Sequence, residues 1–208
     1  MKEYTKIQTV FKRDERKKIV EGSYTLPEFE YLKDNVWVFT EKVDGTNIRV
    51  MWQAANRSLK FGGKTNQAQI PVTLLYKLQE LFTESSLAEV FPETDVCIYG
   101  EGCGAKVQRN GENYVRDGVD FVLFDIKIGE WWLQPEDVVD VANKLRIRVV
   151  PIIGEGTLGE AIAKVRQGFN SQWGEFVAEG IVARPKVELK TRKGERIITK
   201  IKHRDFPK

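Results

Sequence analysis

Short apolar runs recur along this chain, many of them alternating with polar positions, and a few segments of helical period lie between them. Side chains on a strand alternate faces, so such runs read as half-buried strands. Val36–Phe39 and Ile48–Trp52 flank Asp44-Gly45, and an Asp-Gly step between two apolar runs predicts a hairpin in which Lys42 and Asp44 point the same way. Further strands are expected at Ile7–Phe11, Ser58–Phe61, Val96–Tyr99, Phe121–Ile126, Val149–Ile153, Ala178–Ala183 and Ile197–Lys202. Pro71–Leu81 reads as a helix: proline suits its first turn, and Leu74, Leu75, Leu78 and Leu81 fall on one face. Glu136–Leu145, after Pro135, directs Val138, Val139 and Leu145 inward, and Leu158–Arg166 is closed by Gly168.

Composition narrows the class. Hydrophobic residues are 41% of 208 and charged residues 30%, which suits a globular chain with one sizeable core and one domain spanning 1–208. The longest apolar runs are strand-sized and the N-terminus lacks an apolar signal core, so a cytoplasmic protein (host cytoplasm if viral) with no membrane partner is expected. Cys97 and Cys103 suggest reduced thiols rather than a disulfide framework or a zinc site. His203 is the single histidine, which argues against histidine triads. A net charge of +3 permits a basic groove without demanding nucleic acid. Lys2, Lys6, Lys12, Arg13, Arg16, Lys17 and Lys18 make the N-terminal stretch basic. It could track a phosphate backbone, or form a solvated arm of mixed sign, since Asp14 and Glu15 interrupt it.

Several stretches carry candidate chemistry, each with an ordinary structural alternative. Lys42 and Asp44 pair an amine with a carboxylate at a strand end, which suits a nucleophile with a charge partner or a solvated surface pair. Gly62-Gly63-Lys64-Thr65-Asn66 places a cation after a glycine turn; Ser58 stands where the phosphate-binding loop motif needs glycine, so that motif is absent. Glu101, framed by Gly100 and Gly102, could bond a ligand hydroxyl because glycines allow close approach, or could be a solvated turn residue. Phe121 and Phe124 are core candidates, and one of them could give a purine a flat face. Glu179 precedes a Gly-Ile-Val strand. Lys200 and Lys202 share a face opposite Ile201, as an anion site or as a guard on a sheet edge.

In chain order these pieces are Lys-x-Asp-Gly, a glycine-preceded Lys, a glycine-framed Glu, an aromatic strand ending in Phe-Asp, Glu-Gly-Ile-Val and Lys-x-Lys. The ordered set, over residues 40–202, resembles the covalent nucleotidyltransferase superfamily of DNA ligases, RNA ligases and mRNA capping enzymes. Asn47 in Lys-x-Asp-Gly-x-Asn looks like the phage RNA ligase 2 type shared by RNA-editing ligases, as does Gly100-Glu101 through Gln108 with Asp-Phe-x-x-Phe-Asp at 120–125.

The resemblance implies an α+β nucleotidyltransferase (ATP-grasp-like ligase) core of twisted, mainly antiparallel sheets with flanking helices and an ATP cleft between sheets. It implies an ATP-dependent RNA ligase: Lys42 attacks the α-phosphate of ATP, AMP passes to an RNA 5′-phosphate, and a 3′-hydroxyl seals the strand. Asp44 and Glu179 match the metal-associated acids, for Mg2+ or Mn2+. Lys200 and Lys202 match the phosphate-binding pair. Glu101 matches the ribose acceptor and Phe124 the base-stacking aromatic. Lys64 falls where a basic ribose or phosphate contact, often Arg, is usual; Glu41 lies where the family contacts adenine, and Asn47 completes the nucleotide set. Only a neutral amine is nucleophilic, and a free lysine titrates near ~10.4, so nearby positive charge would assist Lys42. Six residues follow Lys202, so no C-terminal OB or helical domain is expected, and adenylylation is a safer expectation than complete sealing. A minimal DNA ligase, a capping-type guanylyltransferase and an inactive RNA-binding module of the same fold are the rivals; no protein partner is implied.

Overall fold

The computed structural model describes residues 3–105, 107–108 and 111–206; Lys2 of the basic stretch and the final Pro207 and Lys208 lie outside them. In chain order the elements are β1 (Gln8–Thr9), β2 (Phe11–Arg13), β3 (Ile19–Tyr24), α1 (Pro27–Tyr31), β4 (Trp37–Glu41), β5 (Thr46–Gln53), β6 (Ser58–Gly62), α2 (Val72–Leu81), α3 (Glu84–Val90), β7 (Val96–Gly104), β8 (Val119–Ile128), β9 (Trp131–Trp132), α4 (Pro135–Leu145), β10 (Arg148–Val149), β11 (Ile152–Gly156), α5 (Leu158–Gln167), β12 (Gly180–Pro185) and β13 (Thr199–Lys202). The architecture is the expected α+β mixture of mainly antiparallel sheets with flanking helices. Among the described residues no helix is long and apolar enough to cross a membrane. The chain divides into two compact units, one formed by Val43–Val150 with the segment up to Thr5, the other by Lys6–Lys42 with Pro151–Lys208.

In the Val43–Val150 unit a sheet runs in the order β10-β8-β7-β5-β6, with β9 paired to β8. Alternation sends Ile48, Val50 and Trp52 of β5 to one face, where they pack with Ile98, Phe121, Leu123 and the helical Leu74 and Leu78. Leu74 and Leu78 of α2 are fully buried, each stabilising by about 1.5–3 kcal/mol. The opposite face carries Asn47 and Arg49. Thr83 opens α3 with a capping box closed by Ser86, a helix that the apolar pattern does not announce.

In the other unit the order is β1-β13-β12-β4-β11, with a separate β2–β3 ribbon. Trp37 and Phe39 of β4, Ile181 and Ala183 of β12 and Ile201 of β13 pack against Leu158, Ala161 and Val165 of α5. A capping box between Thr157 and Glu160 starts that helix.

Three local expectations are corrected. The Asp44-Gly45 hairpin does not form: β4 ends at Glu41, β5 begins at Thr46, and the two strands belong to different sheets. Gly45 is needed for proximity rather than for a turn, since a Cβ there would lie 2.2 Å from the Gly102 carbonyl oxygen. The expected Val149–Ile153 strand is two short strands, β10 and β11, in different sheets, interrupted at Pro151, which has no N–H to give a ladder. The glycines around Glu101 face the core instead of a ligand: a Cβ at Gly100 would meet the Phe121 ring at 2.1 Å, and one at Gly102 would meet Leu74 at 2.4 Å.

Candidate functional site

The candidate side chains fall into two groups, one in each unit. The first is built on β4, β12 and β13. The Lys42 N–H donates to the Gly180 carbonyl at 2.9 Å, and Gly180 is in register with Lys202 on its other side. The two lysines therefore flank a position without a side chain. Gly180 has φ +154°, and a Cβ there would lie 2.0 Å from the Ile201 carbonyl oxygen, so no other residue fits. Glu179, one residue earlier, reaches both amines: Lys42 Nζ donates to Oε2 and Lys202 Nζ to Oε1, each at 2.7 Å. Lys200 lies two residues before Lys202 on the same strand face, while Ile201 packs in the core, as the alternation requires.

Charge dominates this cluster. Burial alone would raise the Glu179 carboxyl pKa. The Lys42 charge, the hydrogen bonds from both lysines and the Lys202 charge together outweigh burial, and the net shift is downward. The carboxylate is therefore held ionised, and the two ammonium groups, which would repel each other, share one counter-charge.

Glu41 goes elsewhere. It neighbours Lys42 in sequence, so its side chain leaves the strand on the opposite face, where it is 1% exposed. There it accepts from the Ser171 hydroxyl at 2.5 Å and from the Gln172 N–H at 2.8 Å. The Ser171 hydroxyl in turn accepts from the Trp173 N–H at 3.0 Å. Both carboxylate oxygens of Glu41 are thus occupied in anchoring the 170–177 loop. Nothing in the sequence marks Ser171 as that partner.

The second group stands on the face of the Val43–Val150 sheet turned away from its core. Asn47 and Glu101 are directly opposed in the β5–β7 register. The Asn47 Oδ1 is buried without a hydrogen-bond partner, so an acceptor is left over beside Glu101. Arg49, two residues along on the same face, is 1% exposed and was not foreseen as a site residue. Its Nε donates to the Gly63 carbonyl and its Nη2 to Asn66 Oδ1, both at 2.9 Å. This guanidinium clamps the turn that carries Lys64, itself exposed. The sequence did hold the signal: Ile48-Arg49-Val50 places a charge on the Asn47 face of an otherwise apolar strand. The Asp44 N–H donates to the Tyr114 hydroxyl at 3.1 Å, and Gln108 Nε2 donates to the Gly45 carbonyl at 3.0 Å, which fixes the Asp-Gly step. Of the two candidate aromatics, Phe121 is fully buried against Phe82. Phe124 is half-buried at a register shift of β8, with the Tyr4 ring 5.1 Å away.

The structure thus brings together Lys42, Glu179, Lys200 and Lys202 in one unit, and Asn47 and Glu101 in the other, with Lys64 on a turn tied to their sheet. Among the described residues no three metal-ligating side chains cluster. That donor set suits a hard ion carried in largely by phosphate and water, which takes one or two carboxylates from protein, and does not suit a preformed protein cage.

The sequence matches the family described as RNA ligase over residues 35–202. Its fold is similar to solved structures of Naegleria gruberi RNA ligase mutants. One, with ATP and Mn, is 17% identical with a TM-score of 0.70, over 97% of this chain and 56% of that one. A second mutant with ATP and Mn is 18% identical with a TM-score of 0.67, over 86% and 54%. A third, with AMP and Mn, is 17% identical with a TM-score of 0.65, over 85% and 52%. The chain spans little more than half the length of these proteins. No curated protein matches it.

Proposed function

The chain belongs to the RNA ligase family, and from that premise we propose that it is an ATP-dependent RNA ligase that works through a lysyl-AMP intermediate on Lys42. In the first step the Lys42 nitrogen bonds to the α-phosphorus of ATP, the bond from that phosphorus to the bridging oxygen breaks, and pyrophosphate leaves as the amine loses a proton. An oxygen of an RNA 5′-phosphate then bonds to the phosphorus of that AMP, the phosphorus–nitrogen bond breaks, and the Lys42 nitrogen leaves as an amine by regaining a proton. A 3′-hydroxyl attacks the adenylated 5′-phosphorus, a phosphodiester forms, and AMP leaves.

The observation that carries this reading is the carboxylate of Glu179 held between two lysines at 2.7 Å each. A nucleophile must be aimed, and Glu179 fixes the direction of the Lys42 amine. Glu179, held between the two lysines, orients the amine, and the proton is released to solvent. Lys200 and Lys202 neutralise the polyphosphate. A divalent magnesium or manganese ion, which Glu179 and Asp44 would help to hold, neutralises phosphate charge when bound. Glu101 accepts from a ribose hydroxyl beside Asn47, Phe124 stacks on the base, and Lys64 contacts ribose or phosphate. Glu41 serves the adenine site through the loop that it anchors at Ser171 and Gln172.

The test is a strand-joining panel: nicked RNA duplex, nicked DNA duplex and single-stranded RNA, each with a 5′-phosphate and a 3′-hydroxyl, with and without ATP. Joining of RNA that requires ATP and Lys42 supports the proposal. Joining of DNA alone would make the chain a minimal DNA ligase. RNA binding with no joining and no AMP transfer would make it an inactive module of this fold.

A further inference from the structure

We propose that the groove between α1 and the 186–197 hairpin, both in the same unit, binds a single-stranded stretch of the polynucleotide substrate, with Tyr31 as a stacking platform and Lys190 and Arg192 as phosphate contacts. The identity of the polynucleotide rests on the ligase reading; the groove itself does not. It has a volume of about 440 Å³, with Pro27, Glu28 and Tyr31 on one wall, Lys190 and Arg192 on the other, and Ile197 among its apolar residues. α1 buries Phe29 completely and leaves Tyr31 86% exposed, so the helix uses one aromatic ring for the core and presents the other to solvent. An exposed ring on a fixed helix gives a base a flat surface, and stacking needs no particular base identity.

The facing wall is held by its own bonds. Arg196 is locked on Glu188 at 2.6 and 3.0 Å. The Ile197 N–H donates to the Leu189 carbonyl at 3.0 Å, and the Thr191 N–H to the Glu195 carbonyl at 2.8 Å. These bonds fix the hairpin and leave Lys190 and Arg192 exposed, with no ion-pair partner among the described residues. Glu28, on the Tyr31 wall, is the single acid of the lining. The groove therefore has an aromatic side and a cationic side, which matches a strand whose bases turn one way and whose phosphates turn the other. An apolar protein segment seated there would bury two cations without supplying their counter-charge, which is costly. Phosphates pair with them and stay in water.

The experiment measures equilibrium binding of a labelled single-stranded RNA oligomer with a 5′-phosphate, at several salt concentrations, with a DNA oligomer of the same sequence in parallel. The full chain is compared with Tyr31→Ala, Tyr31→Phe and the double variant Lys190→Gln/Arg192→Gln, and adenylylation with ATP is assayed for each. Tyr31→Ala is expected to weaken binding about tenfold, while Tyr31→Phe keeps it. The double variant is expected to lower the slope of log affinity against log salt by about two, one per phosphate contact. AMP transfer should be unchanged in every variant. Equal loss of RNA and DNA affinity supports the groove and makes its reading independent of the sugar. Affinity unchanged in these variants overturns the proposal, as does a wild-type dimer that Tyr31→Ala dissolves, which would give the groove to a second copy. If the variants lose RNA affinity as expected but the wild type never takes up AMP, the ligase reading fails and the groove stands.

Discussion

Glu179 is the residue on which the charge balance of the Lys42 cluster turns. Its carboxyl titrates below its ordinary value in the folded chain, so its contribution to stability is complete above the unfolded pKa of about 4.3 and is lost as pH falls through the lower folded value. Glu179→Gln should therefore be clearly less stable than wild type at pH 7, because two lysines lose their shared counter-charge, and the gap should close in acid. Denaturant unfolding of both proteins from pH 7 to pH 3 checks this; a gap that does not change with pH would mean that the pairs contribute nothing. Burial and the nearby Asp120 push the Cys103 thiol up to about 12, and burial raises Cys97 as well. Neither should react with a thiol reagent at pH 8 until the chain unfolds. The motif residues were readable in the sequence because each class of chemistry restricts its side-chain type. The partners of Glu41 were not, since Ser171 lies 130 residues away and only the fold brings it near.

Elements were readable where a single period rules. α2, α4 and α5 appear where apolar spacing places them, although in α4 Val141 and Ala142, not Val139, join Val138 and Leu145 in the core, and the alternation in β13 correctly sends Lys200 and Lys202 to one face. The period failed at Asp44-Gly45. A turn residue and a close-packing residue look alike in sequence, and here Gly45 serves the second purpose against Gly102. Gly45→Ala should cost about 1–3 kcal/mol through overpacking, not through backbone strain, in chemical denaturation. A neutral Gly45→Ala would contradict the close-packing explanation. Leu78→Ala on α2 should cost about 2–5 kcal/mol, because Leu78 is fully buried. α3 was missed because Thr83 and Ser86 cap it without the acidic partner that usually signals a capping box.

At the scale of the molecule, the two-unit division follows no shift in composition. Each unit is assembled from two separate stretches, and the crossings fall at Thr5/Lys6, at Lys42/Val43, inside the motif, and at Val150/Pro151. The order of motifs was nevertheless readable, because it does not depend on which unit holds each piece, and the family match over residues 35–202 covers the same span. Adenylylation asks only for ATP, a divalent ion and residues of this chain, so it tests the account without reference to the longer proteins that share the fold. The most direct measurement is to incubate the protein with α-labelled ATP and magnesium, digest it, and map the labelled peptide. The account predicts one AMP on Lys42, in an acid-labile phosphorus–nitrogen bond, absent from Lys42→Ala and retained in Lys6→Ala. Label that persists in Lys42→Ala, or that maps to another residue, would contradict it.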